Sequence, residues 1–175
     1  TVVRVLNTNT NKIIEEHVRV EDGHAMVHGD EVIQGVPGTG SRIDMYFEDP
    51  AGSKTGKLFP TGQKKEVFDV PEYGPAEVTV LDCSNPMVFI KASDLGIKGS
   101  ELTELNQNKD VMEHIERIRG MAAVKCGFVE NWEDARTKST SAPKVSIVSA
   151  PQDYINMDGN EVKADTMDLC CRAIS

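Results

Sequence analysis

Apolar and polar residues alternate in several short stretches of this chain, and recur at helical spacing in one long stretch. Residues 1–7 are rich in β-branched side chains. Residues 12–20 repeat that character, with Val18 and Val20 on one face and His17 and Arg19 on the other. The Asn-Thr-Asn-Thr-Asn run between them is turn chemistry, so the two stretches predict a hairpin. Gly23, Gly29 and Gly35 punctuate the next segment. Ile43, Met45 and Phe47 then alternate with Arg42, Asp44 and Tyr46, which predicts a half-buried strand running into Asp49-Pro50. Residues 66–70 fit a short strand, residues 71–75 a turn or linker, and residues 77–81 a further strand with Val78 and Val80 on one face. A polar knot, Asp82-Cys-Ser-Asn-Pro86, separates that strand from another over residues 87–91.

Only residues 109–127 carry a convincing helical period. Val111, Ile115, Ile118, Ala122 and Cys126 fall at steps of four, three, four and four, one face of a helix, and Gly127 supplies a stop. His114, beside that stripe, and Cys126, within it, read as packing groups rather than chemistry. Residues 132–141 read as a polar connection, residues 144–148 as a buried strand, and residues 156–160 as a turn before a final apolar segment. The chain has no internal repeat. The fold class that follows is α+β, mainly β.

Composition narrows the setting. At 175 residues, 39% apolar and 27% charged, the chain is long enough for one large domain or two small lobes with a real core. It contains neither an apolar run of membrane-spanning length nor a signal-peptide pattern, so a cytoplasmic setting is expected. A formal charge of −9 argues against nucleic acid or an anionic membrane as the main partner, while leaving room for a small anionic substrate in a locally basic cleft. Cys83, Cys126, Cys170 and Cys171 show no CxxC spacing and read as reduced thiols, neither a disulfide framework nor a zinc site.

Candidate chemistry concentrates in two loops. Residues 50–62 hold Gly52, Gly56 and Gly62 with Ser53, Thr55, Thr61, Lys54 and Lys57, a segment able to aim backbone N–H groups and an ammonium at one anion. The competing reading is a solvated turn between strands. A nucleotide phosphate loop fails on count, because three residues rather than four separate Gly52 from Gly56 and Leu58 follows Lys57. Gly38-Thr-Gly40 lacks the rest of a dinucleotide fingerprint. His24 and His28 sit among glycines in an expected hairpin, where a four-residue spacing does not put them on one face, so no metal site is expected. Cys83 has no local base to activate it.

With both loops in view, the chain resembles the family of cofactor-independent isomerases and tautomerases of unsaturated di- and tricarboxylic acids: the methylaconitate isomerases, methylitaconate isomerases and oxalomesaconate tautomerases. The resemblance rests on Asp49-Pro-Ala-Gly-Ser-Lys-Thr-Gly-Lys-Leu-Phe-Pro-Thr-Gly62, on Asp82-Cys-Ser-Asn-Pro-Met-Val-Phe-Ile90 and on Ala92-Ser-Asp-Leu-Gly-Ile-Lys-Gly-Ser-Glu-Leu102. Glu116-Arg-Ile-Arg119, Pro143-Lys-Val-Ser-Ile-Val-Ser-Ala-Pro151 and Asp168-Leu-Cys-Cys-Arg-Ala-Ile-Ser175 continue it in order. It implies part of a two-lobed, diaminopimelate epimerase-like fold with substrate between the lobes. The implied division assigns residues 1–74 to closing strands of the first lobe and residues 75–175 to the first part of the second.

The resemblance further implies a proton shift beside a carboxylate, without metal or organic cofactor. Asn85-Pro86 resembles the Asn-Pro of the epimerases, whose Asn hydrogen-bonds the substrate. The family's catalytic lysine, in a Ser/Thr-Ser-Lys loop, and its catalytic cysteine, in a Gly-Asn-Cys-Gly-Asn turn, match no position here. No catalytic role therefore passes to Lys54, Lys57 or Cys83, and the catalytic pair stays unassigned. The chain reads as an internal segment of a longer product, expected by itself to lack isomerase activity. Substrate contacts are expected at Ser84 and Asn85, then at Thr61, Ser53 and Lys57 as carboxylate partners. The expected partner is a small unsaturated polycarboxylate, and an exposed sheet edge would favour a homo-oligomer. The alternatives are a non-catalytic binding or assembly domain, and an amino-acid epimerase or racemase. The latter needs a cysteine pair across a cleft, which adjacent Cys170 and Cys171 do not form.

Overall fold

The computed structural model describes every residue except Gln34, Leu102, Met157 and Ser175. Strands β1 (Val2–Asn7) and β2 (Lys12–Val18) make the expected hairpin, with Val5 opposite Ile14. The second strand stops at Val18 rather than Val20. Val20 instead opens a two-residue strand, β3 (Val20–Glu21), which turns through Asp22 and Gly23 onto β4 (His24–Ala25). Both turn residues have positive φ, 50° and 79°, the conformation a tight Asp-Gly hairpin turn requires. Strand β5 (Ile43–Phe47) pairs with β2 and completes a three-stranded antiparallel sheet in the order β1-β2-β5.

Register places Val3, Val5, Ile14, Ile43, Met45 and Phe47 on one face of this sheet. Ile14 is buried there, but Met45 and Phe47 remain 50% and 48% exposed. The expected half-buried strand is thus more open than its alternation implied. An apolar face is present, while among the described residues the helices pack on the other sheet.

That second sheet begins with β6 (Glu66–Val70), β7 (Gly74–Cys83) and β8 (Asn85–Lys91), joined as successive antiparallel pairs. The chain leaves it through a 3-10 turn (Ala92–Leu95), then α1 (Thr103–Gln107), α2 (Lys109–Lys125), a second 3-10 turn (Trp132–Asp134) and α3 (Ala135–Lys138). It returns as β9 (Lys144–Ser149), parallel to β8, as a helical crossover permits. A small ribbon of β10 (Tyr154–Ile155) and β11 (Glu161–Val162) precedes β12 (Cys170–Ile174), which pairs with β9. The five strands run β12-β9-β8-β7-β6.

Helix α2 lays its stripe on this sheet. Val111, Ile115, Ile118 and Ala122 form one core with Phe68, Val70, Ala76, Val78, Val80, Val88, Ile90, Val145 and Ile147. The Asn108 side chain accepts the Val111 N–H at 3.2 Å and caps the helix start, and Gly127, at φ 74°, ends it just beyond Cys126.

Three readings change. The connection over residues 132–141 contains a 3-10 turn and α3, which pack on α2. Buried Ala135 and the close approach of Gly120 to Trp132 hold them there, since a Cβ on Gly120 would lie 2.5 Å from the Trp132 carbonyl oxygen. The short helix α1 also precedes α2, so the helical period of residues 109–127 marks the longest helix rather than the only one. The knot over residues 82–86 separates two strands as expected but is itself mostly strand, because β7 runs to Cys83 and antiparallel β8 begins at Asn85, with Ser84 alone at the reversal, at φ 67°. Strand β6 hydrogen-bonds to β7 in the five-stranded sheet. Sheet membership therefore changes between β5 and β6.

Candidate functional site

The two loops singled out in the sequence meet. Residues 50–58 form a strap across the bend between β7 and β8, held mainly through Asp82. The Gly52 N–H donates to the Asp82 carbonyl at 2.8 Å, the Asp82 N–H donates to the Leu58 carbonyl at 2.8 Å, and the Ser84 N–H donates to the Pro50 carbonyl at 2.7 Å. The Asp82 side chain is fully buried. Its Oδ2 accepts the N–H groups of Lys54 and Thr55 at 2.8 and 2.7 Å and the Thr55 hydroxyl at 2.9 Å. Glycine is required at position 52, where φ is 66° and a Cβ would lie 2.5 Å from backbone atoms of Gly56 and Lys57. The strap also reaches the first sheet, because Lys54 Nζ donates to the Asn9 carbonyl at 2.7 Å.

Beside this junction lies a cleft of about 730 Å³ between the β1–β2 turn and the near end of the five-stranded sheet. Asn7, Asn9 and Thr10 line one side; Lys54, Ser84 and Asn85 line the floor; Phe128, Lys138, Ser139, Ser141 and Lys144 line the other side. The parallel pairing of β8 with β9 sets Lys144 opposite Met87, two residues from Asn85. The far wall is braced from α2: Arg119 donates to both Glu116 carboxylate oxygens at 2.7 Å and also to the Ser139 carbonyl. Lys138 pairs with Asp134 at 2.9 Å. Among the described residues, the side chains of Ser84, Asn85, Ser141 and Lys144 have no hydrogen-bond or ion-pair partner. A chain of net charge −9 thus gathers three lysines and several uncommitted donors around one opening.

Of the five expected contact residues, the structure brings two into this cleft, Ser84 and Asn85. The other three lie outside its lining. The Ser53 hydroxyl donates to the Pro50 carbonyl at 2.7 Å, within the strap. Thr61 Oγ1 closes a local turn with the Gln63 N–H and carbonyl, each at 3.2 Å. Lys57 is exposed, its N–H donating to Thr55 Oγ1 at 3.5 Å. Lys54, Lys138, Ser141 and Lys144 were not singled out as contacts. The one signal for Lys144 is its place at the head of a buried strand, and only the parallel pairing shows which loops share that end.

The remaining thiols and imidazoles lie elsewhere. Burial pushes the Cys126 thiol up to about 12, with the charge of Asp82 adding to it. Cys83 is exposed and outside the cleft lining. Among the described residues no group of three or more His, Cys, Asp or Glu side chains is placed to hold a metal ion.

A mixed sheet with one long helix across it, beside a second small sheet, is a diaminopimelate epimerase-like arrangement. The solved structure of methylitaconate-delta-isomerase superposes with a TM-score of 0.91 at 38% identity, covering 99% of this chain and 45% of that one. The chain belongs to the PrpF protein family, whose model matches residues 1–175. It is 43% identical over 175 residues to the putative isomerase YraM of Bacillus subtilis, covering 100% of this chain and 47% of that protein. It is 38% identical to 3-methylitaconate isomerase of Eubacterium barkeri, covering 98% of this chain and 46% of that protein. It is 32% identical to 2-methyl-aconitate isomerase of Shewanella oneidensis, covering 99% of this chain and 44% of that protein. The chain spans about half the length of these curated relatives.

Proposed function

We propose that the protein containing this chain is a cofactor-independent isomerase that shifts a proton, and with it a double bond, in a small unsaturated di- or tricarboxylic acid. The carrying observation is the convergence of Ser84, Asn85 and Lys144, all uncommitted, on one cleft walled by two further lysines. A carboxylate accepting from a hydroxyl, an amide and an ammonium is fixed in one orientation, and a directional proton transfer needs that fixed orientation. The same cations lower the cost of the enolate-like charge that develops when a proton leaves carbon next to a carboxylate. Relatives named for isomerising 3-methylitaconate, 2-methylaconitate and oxalomesaconate support this substrate class. In this reading the two sheets belong to two lobes facing each other across the cleft, and the chain supplies substrate-holding groups rather than the pair that moves the proton. Incubating the full-length gene product with trans-aconitate or a methylaconitate in D2O, and following the alkene protons by NMR, tests the reading. Loss or migration of alkene signals with deuterium uptake is expected, and unchanged spectra from a folded, ligand-binding protein would overturn it.

A further inference from the structure

We propose that Asp82 is the positioning residue of this cleft: its buried carboxylate fixes the strap so that Lys54 reaches the first sheet and Ser84 and Asn85 stay presented to the ligand. The proposal rests on the cleft being a polycarboxylate site. Asp82 touches no ligand-facing space itself. It acts through the strap, to which it is joined by both backbone groups and by three donors on Oδ2.

Such a residue is costly to keep. A carboxylate withdrawn from water needs compensation, and here Oδ1 is buried without a partner while Oδ2 accepts everything. Among the described residues Asp82 joins no salt bridge, so neutralising a buried cation does not explain it. What only an acceptor at this point achieves is to gather the adjacent N–H groups of Lys54 and Thr55 onto one atom. That sets the direction in which the Lys54 side chain leaves the strap, toward Asn9. The Pro50 carbonyl of the same strap receives the Ser84 N–H, holding Ser84 at a φ of 67° that a non-glycine residue seldom adopts unaided. One carboxylate thereby ties the strap that carries Lys54 to the bend that carries Ser84 and Asn85.

A role in folding alone would lower the melting temperature and leave ligand affinity of the folded protein unchanged. The full-length gene product is titrated calorimetrically with propane-1,2,3-tricarboxylate, well below the melting temperature of each variant. Asp82→Asn keeps the shape but turns one oxygen into a donor, and about a tenfold rise in Kd is expected. Thr55→Val removes one donor at a half-exposed site, with about a threefold rise expected. Adding Thr55→Val to Lys54→Met is expected to cost less than on the wild-type background, because both act through the same tie. If Asp82→Asn does not fold, Thr55→Val and the double variant decide. If the wild-type chain binds, and Ser84→Ala weakens binding while folded Asp82→Asn and Thr55→Val bind as wild type, the proposal falls and the cleft reading stands. If the wild-type chain binds no tricarboxylate, both fall.

Discussion

Tyr73 stacks on His114 with ring centroids 4.2 Å apart and planes 7° from parallel. The Tyr73 hydroxyl donates to Asp110 Oδ1 at 3.0 Å, and Arg117 lies 5.4 Å above the Tyr73 ring while pairing with Glu113 and Glu72. This lid over the first half of α2 leaves His114 Nε2 buried without a partner. Burial pulls the imidazole below its ordinary 6.5; Asp110 opposes that shift and Arg117 adds to it.

Stability should therefore depend on pH near neutrality. The folded chain holds His114 neutral, while the unfolded chain takes up a proton near 6.5, so the unfolded state binds more protons in the interval just below. The contribution is full above about 6.5 and is lost as pH falls toward the folded value. The urea midpoint is expected to drop from pH 7.5 to pH 5.5, and His114→Phe is expected to flatten that dependence. Glu77, which Lys65 and Lys91 hold down at about 2, acts in a separate window below 4.5. A midpoint that rises on acidification to pH 5.5 would contradict the assignment.

The cysteines should divide by exposure. Cys83 and Cys171 are exposed, whereas Cys126 is partly buried with its thiol raised to about 12. Only thiolate reacts with iodoacetamide, so at pH 8 the native chain is expected to label at Cys83 and Cys171 and to spare Cys126. In urea all four should label. Peptide mass spectrometry reads the difference, and native labelling of Cys126 at the rate of Cys83 would refute it.

Gly120 offers a test whose sign is informative. Alanine in place of glycine inside a helix ordinarily stabilises by about 1 kcal/mol. Here the new Cβ would lie 2.5 Å from the Trp132 carbonyl oxygen, so the 3-10 turn must move away. Gly120→Ala is expected to cost about 1–3 kcal/mol in urea unfolding, the usual range for overpacking. A gain in stability would show that the turn yields freely.

The cleft lining separates two sets of polar residues. Asn85→Ala and Lys144→Met remove uncommitted donors and are each expected to weaken tricarboxylate binding by about tenfold, the scale of one charge-assisted hydrogen bond. Thr61→Ala and Lys57→Met lie outside the lining and are expected to change it less than twofold. Calorimetric titration measures all four. Equal losses in the two sets would mean that the ligand sits elsewhere on the strap.

Much of the second sheet was legible because its code is local. Val78 and Val80 alternate, the α2 stripe recurs at helical steps, and Gly127 stops that helix. What escaped depends on pairs distant in the chain. Lys144 faces the cleft because β9 runs parallel to β8, and no pattern within residues 144–148 encodes that partner. Ser53 and Thr61 have the right chemistry for a carboxylate, but their hydroxyls donate to the nearby Pro50 and Gln63 carbonyls. Asp82 looked like part of a polar knot. Its role emerges only when a loop about 27 residues earlier folds back over it. Residues 132–141 read as polar because α3 is too short to show a period, and its one buried anchor is Ala135.

The most direct test is to map where a tricarboxylate touches the chain. In 15N-resolved NMR of the labelled full-length gene product, propane-1,2,3-tricarboxylate is expected to shift the amides of Asn9, Lys54, Ser84, Asn85, Ser141 and Lys144, residues that meet at the cleft. The exposed apolar face of β1, β2 and β5 should be left unchanged. Shifts confined to that face, or none at saturating ligand, would contradict the central claim that these two sheets enclose a polycarboxylate site.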